Sequence, residues 1–186
     1  MKSMKQINTP SDTAALAHPE MTRRKFLRDT VFTAAGISAF GILSSKAQSP
    51  AGGKKLKLAL VGCGDRGLKA VRNFTDAAKL LGHDIEILAV CDAFEDMANG
   101  VARNLKLDPS ICHWGFDSYK KAAASDAEFI ILATPPNFRP LHFDTMVQAG
   151  KHCFVEKPLA VDPVGARAIL ASGELAKQKG LAAVVG

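Results

Sequence analysis

The seven residues Val61–Gly67, VGCGDRG, limit the folds open to this chain more than any other stretch. Gly62, Gly64 and Gly67 fall in G-x-G-x-x-G spacing, and the flanking residues decide whether that spacing carries meaning. Before them lies Leu56–Val61, LKLALV, a short apolar run that reads as a buried strand. After them Arg66–Leu81 places Leu68, Val71, Phe74, Ala78 and Leu81 at helical spacing, with Gly82 just past the end. In a strand–turn–helix unit each glycine has a mechanical task. Gly62 makes the tight turn, Gly64 lets backbone approach a bound pyrophosphate, and Gly67 lets helix and strand pack closely. Asp65 and Arg66 stand where the turn meets the helix, whose free N–H groups suit phosphate oxygens. These five residues are the first candidates for binding a nucleotide cofactor. The spacing alone is weak evidence, because glycine-rich turns are common.

The rest of the chain repeats the unit. Ile85–Cys91, Glu128–Ala133, His152–Val155 and Leu181–Val185 read as strands, with His113–Phe116 a short further one. Between them Phe94–Leu105, Tyr119–Ala124, Leu141–Gln148 and Pro163–Lys177 read as helices, the last with Asp162 as N-cap and Pro163 at its first position. Strands alternating with helices predict an α/β fold with a doubly wound parallel sheet, and six strands predict the Rossmann dinucleotide-binding arrangement. Asp92 supports this: it stands 25 residues beyond Gly67, at the end of the second strand. A carboxylate there accepts hydrogen bonds from the adenosine ribose and repels a 2′-phosphate, which points to NAD before NADP. The plainer reading is that Asp92 caps the next helix.

The basic character belongs mostly to the amino-terminal segment. Residues 1–47 hold seven of the 24 Lys/Arg and three of the 18 Asp/Glu, so +4 of the formal +6 lies there. The remaining 139 residues are near charge balance and show no electrostatic footprint for nucleic acid. Within the leader, Thr22–Asp29 reads TRRKFLRD, followed by the 13-residue apolar run Val31–Leu43 and a Ser45-Lys46-Ala47 cleavage pattern. That order predicts a twin-arginine signal peptide over 1–47, the Tat export machinery as partner and a periplasmic destination. The run is shorter than the roughly 20 apolar residues of a spanning helix, although an uncleaved leader would still anchor the chain to the membrane. Residues 48–55 read as a linker and 56–186 as the folded domain. Cys63, Cys91, Cys112 and Cys153 are dispersed, without zinc spacing, and read as buried free thiols.

Taken together, VGCGDRG, Ala89–Asp92 (AVCD), Ile131–His142 (ILATPPNFRPLH) and Ala149–Pro163 (AGKHCFVEKPLAVDP) resemble the Gfo/Idh/MocA oxidoreductase family over Lys54–Gly186. The resemblance implies that Thr134, Pro135 and Asn137 form the loop against the nicotinamide ribose and phosphates. It also implies that Glu156 and Lys157 lie close to the nicotinamide ring. Lys157 would then be the catalytic group, its ammonium bonding a sugar hydroxyl and stabilising the alkoxide that develops as hydride leaves carbon. Read from the residues alone, Glu156–Lys157 is a surface ion pair of little energetic weight. Pro158 holds Lys157 extended, and a cis Lys157–Pro158 bond fits there. Many relatives carry a histidine where Arg139 stands, and His142, three residues on, reads as a packing histidine before a ligand contact.

The family pairs this domain with a second α/β domain that carries most sugar-binding groups. The chain is therefore expected to be a truncated piece, binding a nicotinamide dinucleotide and inactive alone. A sugar or cyclitol substrate, and a homo-oligomer, are expected only of a full-length form. Three functions stay open: an NAD-dependent oxidoreductase acting on CH–OH groups, a non-catalytic NAD-binding module, and an NAD-using glycosidase.

Overall fold

A computed structural model describes residues 53–186. The leader, its export route and most of the 48–55 linker lie outside the described residues.

The strands are β1 (Lys55–Val61), β2 (Asp84–Asp92), β3 (Cys112–Trp114), β4 (Phe129–Leu132), β5 (His152–Val155) and β6 (Ala183–Val185). The helices between them are α1 (Asp65–Leu80), α2 (Glu95–Leu105), α3 (Tyr119–Ala124), α4 (Arg139–Gln148) and α5 (Pro163–Gln178). All pairings are parallel, and the sheet order is β3-β2-β1-β4-β5-β6. This is the doubly wound Rossmann order, with its switch point between β1 and β4.

Alternation along β1 explains why both faces are covered. Leu58 and Leu60 point to one side, where Val71 of α1 and Ala98, Val101 and Ala102 of α2 close over them. Ala59 and Val61 point to the other, against Tyr119 and Ala122 of α3, Phe143 and Met146 of α4, and Ile169 of α5. A strand buried on both faces cannot show a polar/apolar alternation, which is why LKLALV reads as a nearly continuous apolar run.

Several boundaries differ from the sequence expectation. The first strand opens at Lys55, inside the expected linker, and Lys54 forms an ion pair with Glu128 at 2.7 Å. The third strand stops at Trp114 rather than Phe116, because Gly115 turns the chain at φ 99°. Helix α2 runs unbroken through Gly100, and α4 starts at Arg139, two residues early, with Pro140 in its first turn. The Asp162 cap is present: its side chain accepts from Gly165 N at 2.6 Å. The four cysteines are free and buried.

Candidate functional site

The crevice at the switch point is built by β1 and its turn. Gly62 has φ 98°, a left-handed conformation, and a Cβ added there would lie 2.6 Å from Ala133 C and Thr134 N. A side chain is excluded twice, by conformation and by space. At Gly67 an added Cβ would lie 2.0 Å from the carbonyl oxygen of Gly62, so α1 seats directly on the turn. Gly64 differs: nothing stands within 4 Å of its missing Cβ, and as N-cap of α1 it supplies no side-chain acceptor. The first-turn amides of α1 are therefore uncapped and the approach to them is open. This is what a pyrophosphate requires.

Asp92 ends β2 beside that turn. Its Oδ2 accepts from Cys63 N at 2.7 Å and its Oδ1 from Phe94 N at 3.0 Å. Neither bond is a helix cap, since the N-cap of α2 is Phe94 and it takes no side-chain capping bond; the first ties the carboxylate to the glycine turn. Each oxygen keeps acceptor capacity for a ribose hydroxyl. A cleft of about 640 Å³ opens here, walled by Gly62, Gly64, Asp92, Phe94, Thr134 and His142, among others. Cys63 is inert: burial first, then the negative charge of Asp92, pushes its thiol pKa well above the usual value.

Of the residues singled out from sequence, Gly62, Gly64, Asp92, Thr134 and Pro135 line this one cleft. Asn137 is exposed beyond it and Asp65 is exposed at the start of α1. Arg66, Glu156 and Lys157 form no part of the cleft wall. Arg66 Nε donates to Glu156 Oε1 at 2.6 Å, tying the glycine turn to the end of β5. Glu156 is only 3% exposed, and the bond from Arg66 holds its carboxyl below the ordinary range against the opposing effect of burial. The surface Glu156–Lys157 pair read from the residues is thus corrected, since Glu156 is buried and bonded to Arg66. Lys157 is exposed and precedes a cis peptide bond to Pro158.

Two features of the site were not read from the sequence. The cleft has aromatic walls, from Phe94, Phe116 and Phe138. Phe94 and Phe116 are largely exposed and each stands two residues past a strand end, a placement the sequence could have signalled. The second is Arg139, 6% exposed, whose Nε donates to Thr134 O at 2.7 Å and whose Nη1 donates to Pro158 O. Burial lowers its pKa, while Glu156 acts in the opposite direction.

Residues 56–186 match the family model of Gfo/Idh/MocA, oxidoreductase family, NAD-binding Rossmann fold. Among curated relatives, the chain is 28% identical over 161 residues to an alpha-N-acetylgalactosaminidase of Shewanella oneidensis, covering 75% of this chain and 34% of that protein. The chain thus spans about a third of the length of the curated relatives it matches. Among solved structures, a putative myo-inositol dehydrogenase from Sinorhizobium meliloti superposes with a TM-score of 0.55 at 23% identity, over 71% of this chain and 36% of that one. The WlbA dehydrogenase from Bordetella pertussis, in complex with NADH and UDP-GlcNAcA, superposes with a TM-score of 0.54 at 22% identity, over 72% and 35%. At these identities the structural likeness speaks to the fold.

One wall residue should report on acid. His142 is 6% exposed, stacked on Tyr119 with ring centroids 4.2 Å apart, and its Nδ1 lies 3.2 Å from Thr134 Oγ1. Burial pushes its pKa down to about 4. The unfolded chain therefore binds a proton between about pH 6.5 and 4 that the folded chain refuses. Stability should be unaffected by this group above pH 6.5 and fall below it, by at most about 1.4 kcal/mol per pH unit. Urea unfolding at several pH values above the carboxylate range would show this slope. His142→Gln should flatten it, and an unchanged slope in that variant would refute the assignment.

Proposed function

The chain belongs to the Gfo/Idh/MocA oxidoreductase family as an NAD-binding domain, and we propose that it serves an enzyme that oxidises a CH–OH group of a sugar or cyclitol. NAD supplies the chemistry when bound, by accepting hydride at its nicotinamide ring. The observation that carries the reading is the Asp92 carboxylate at the rim of a cleft whose floor is an unobstructed glycine turn. Gly62, Gly64 and the first amides of α1 suit the pyrophosphate. Asp92 suits the adenosine ribose, and Thr134 and Pro135 suit the nicotinamide half. Lys157 is the group to hold a substrate hydroxyl, because its ammonium is exposed at the carboxyl edge of the sheet and Glu156 is already engaged. The sugar class is supported by names among the relatives: a myo-inositol dehydrogenase, a dehydrogenase with UDP-GlcNAcA bound, and an alpha-N-acetylgalactosaminidase.

A second reading has its own support. Curated relatives that match the chain include the alpha-N-acetylgalactosaminidase and seven proteins named for glycosyl hydrolase family 109. An NAD-using glycosidase oxidises a sugar only transiently, so its cycle returns the cofactor. In a protein carrying the second domain, sugar-dependent accumulation of NADH supports the dehydrogenase. Cleavage of an aryl α-N-acetylgalactosaminide without net NADH supports the glycosidase.

Three outcomes are expected. By calorimetry NAD should bind at least about tenfold more tightly than NADP, a difference of about 1.4 kcal/mol. Asp92→Ala should narrow that gap, and equal affinities in the unaltered chain would remove the ribose assignment. In a protein with its second domain, Lys157→Met should lower turnover by about 10²–10³-fold, the scale of losing one donor to a developing oxyanion. Its cofactor affinity should barely change, and normal turnover would return Lys157 to the surface residues. The leader completes the reading as a twin-arginine export signal: replacing Arg23 and Arg24 by Lys should leave precursor in the cytoplasm on fractionation. Export at the normal level would count against it.

A further inference from the structure

Arg139 is the most deeply buried arginine of the described residues, and it takes part in no ion pair among them. A guanidinium brought out of water without a carboxylate on it is costly unless its donors are used well. Here they are used on backbone. Nε donates to the carbonyl of Thr134, which follows β4, and Nη1 to the carbonyl of Pro158, which follows β5. Both acceptors lie in loops at the carboxyl edge of the sheet, where no strand ladder holds them. A planar fork with several fixed N–H directions sets both the distance and the angle between two carbonyls of separate loops, whereas a lysine ammonium is a point charge on a flexible stem. The residue itself is fixed at the start of α4, with Pro140 following it in the helix's first turn.

We propose that Arg139 is a positioning residue for the nicotinamide half of the cofactor site. It fastens the Thr134–Pro135 loop to the Lys157–Pro158 loop, so that both face the bound dinucleotide in one fixed relation. The inference rests on the cofactor reading above and extends it to a residue that contacts neither hydride donor nor acceptor. Its signature is selective. The adenosine half is held by the glycine turn and Asp92, neither of which Arg139 touches. Loosening the clamp should therefore affect ligands that reach the nicotinamide half and spare those that stop short of it.

The test compares NAD and AMP binding by calorimetry in the 186-residue chain, for Arg139→Gln and Arg139→Lys. Arg139→Gln should weaken NAD by about tenfold or more and leave AMP within about twofold. Arg139→Lys keeps the charge but loses the fixed fork that sets the two loops in one relation, and should weaken NAD to an intermediate degree with AMP again unchanged. If Arg139→Gln does not fold, the lysine variant decides alone. Equal weakening of NAD and AMP would mean that Arg139 only supports the fold, and that would overturn the proposal. So would undiminished NAD binding in either folded variant. If the unaltered chain bound neither nucleotide, the cofactor reading would fall first and this inference with it.

Discussion

Everything at the functional end of this domain depends on how closely α1 approaches the turn that precedes it. The carbonyl oxygen of Gly62 occupies the place where a Cβ on Gly67 would be, and the backbone of Ala133 and Thr134 occupies the corresponding place at Gly62. Two backbone segments are thereby pressed against the end of β1 from opposite sides. The helix N-terminus is brought to the sheet's carboxyl edge, and the β4 loop is brought beside it. The crevice exists because β1 is shared by two halves that wind in opposite directions, and the glycines let those halves meet without a side chain between them.

Glycine gives closeness but no hold, and three polar contacts supply it. Asp92 binds the turn through Cys63 N, Arg66 binds the turn's helix to Glu156 at the end of β5, and Arg139 bridges the loops after β4 and β5. Each joins segments far apart in sequence, and each has at least one charged partner, which makes it stronger than a neutral hydrogen bond. They act on loops that no ladder constrains, so the entropy of ordering those loops is met on folding and not again on binding. A site that must accept a large ligand repeatedly gains from loops already held in their bound relation.

The periodic parts of this arrangement were legible in the sequence and the contacts were not. Strand runs such as EFIILA and IEILAVC, the glycine spacing and the distance to Asp92 all follow from local patterns, and the doubly wound parallel class follows from their alternation. Boundaries slipped where a local device outweighed periodicity, as at Gly115 with its positive φ and at Arg139, where the helix begins two residues early. The partner of Glu156 was misread because adjacency suggested Lys157, whereas the fold brings Arg66 from 90 residues away. Arg139 could be noticed as a departure at a family position, but no sequence pattern says that a guanidinium will bridge Thr134 and Pro158. The aromatic walls escaped for the same reason: Phe94, Phe116 and Phe138 come from three separate connections and meet only in the fold.

The choice of partner for Glu156 has a consequence for Lys157. Had the two neighbours paired, any ligand oxygen approaching the ammonium would have had to displace a carboxylate first. With Glu156 turned inward to Arg66 and buried, that competition is removed. The buried carboxylate still contributes a negative field at the end of β5, and its lowered pKa keeps it ionised at any pH where the protein is expected to work. Lys157 thus stands as an exposed cation beside a fixed, already satisfied anion, at the edge where the sheet presents its ligands. A cation so placed loses little by remaining solvated and gains most when negative charge develops on a neighbouring oxygen. That difference between resting and reacting states is what a group assisting hydride removal from an alcohol must supply.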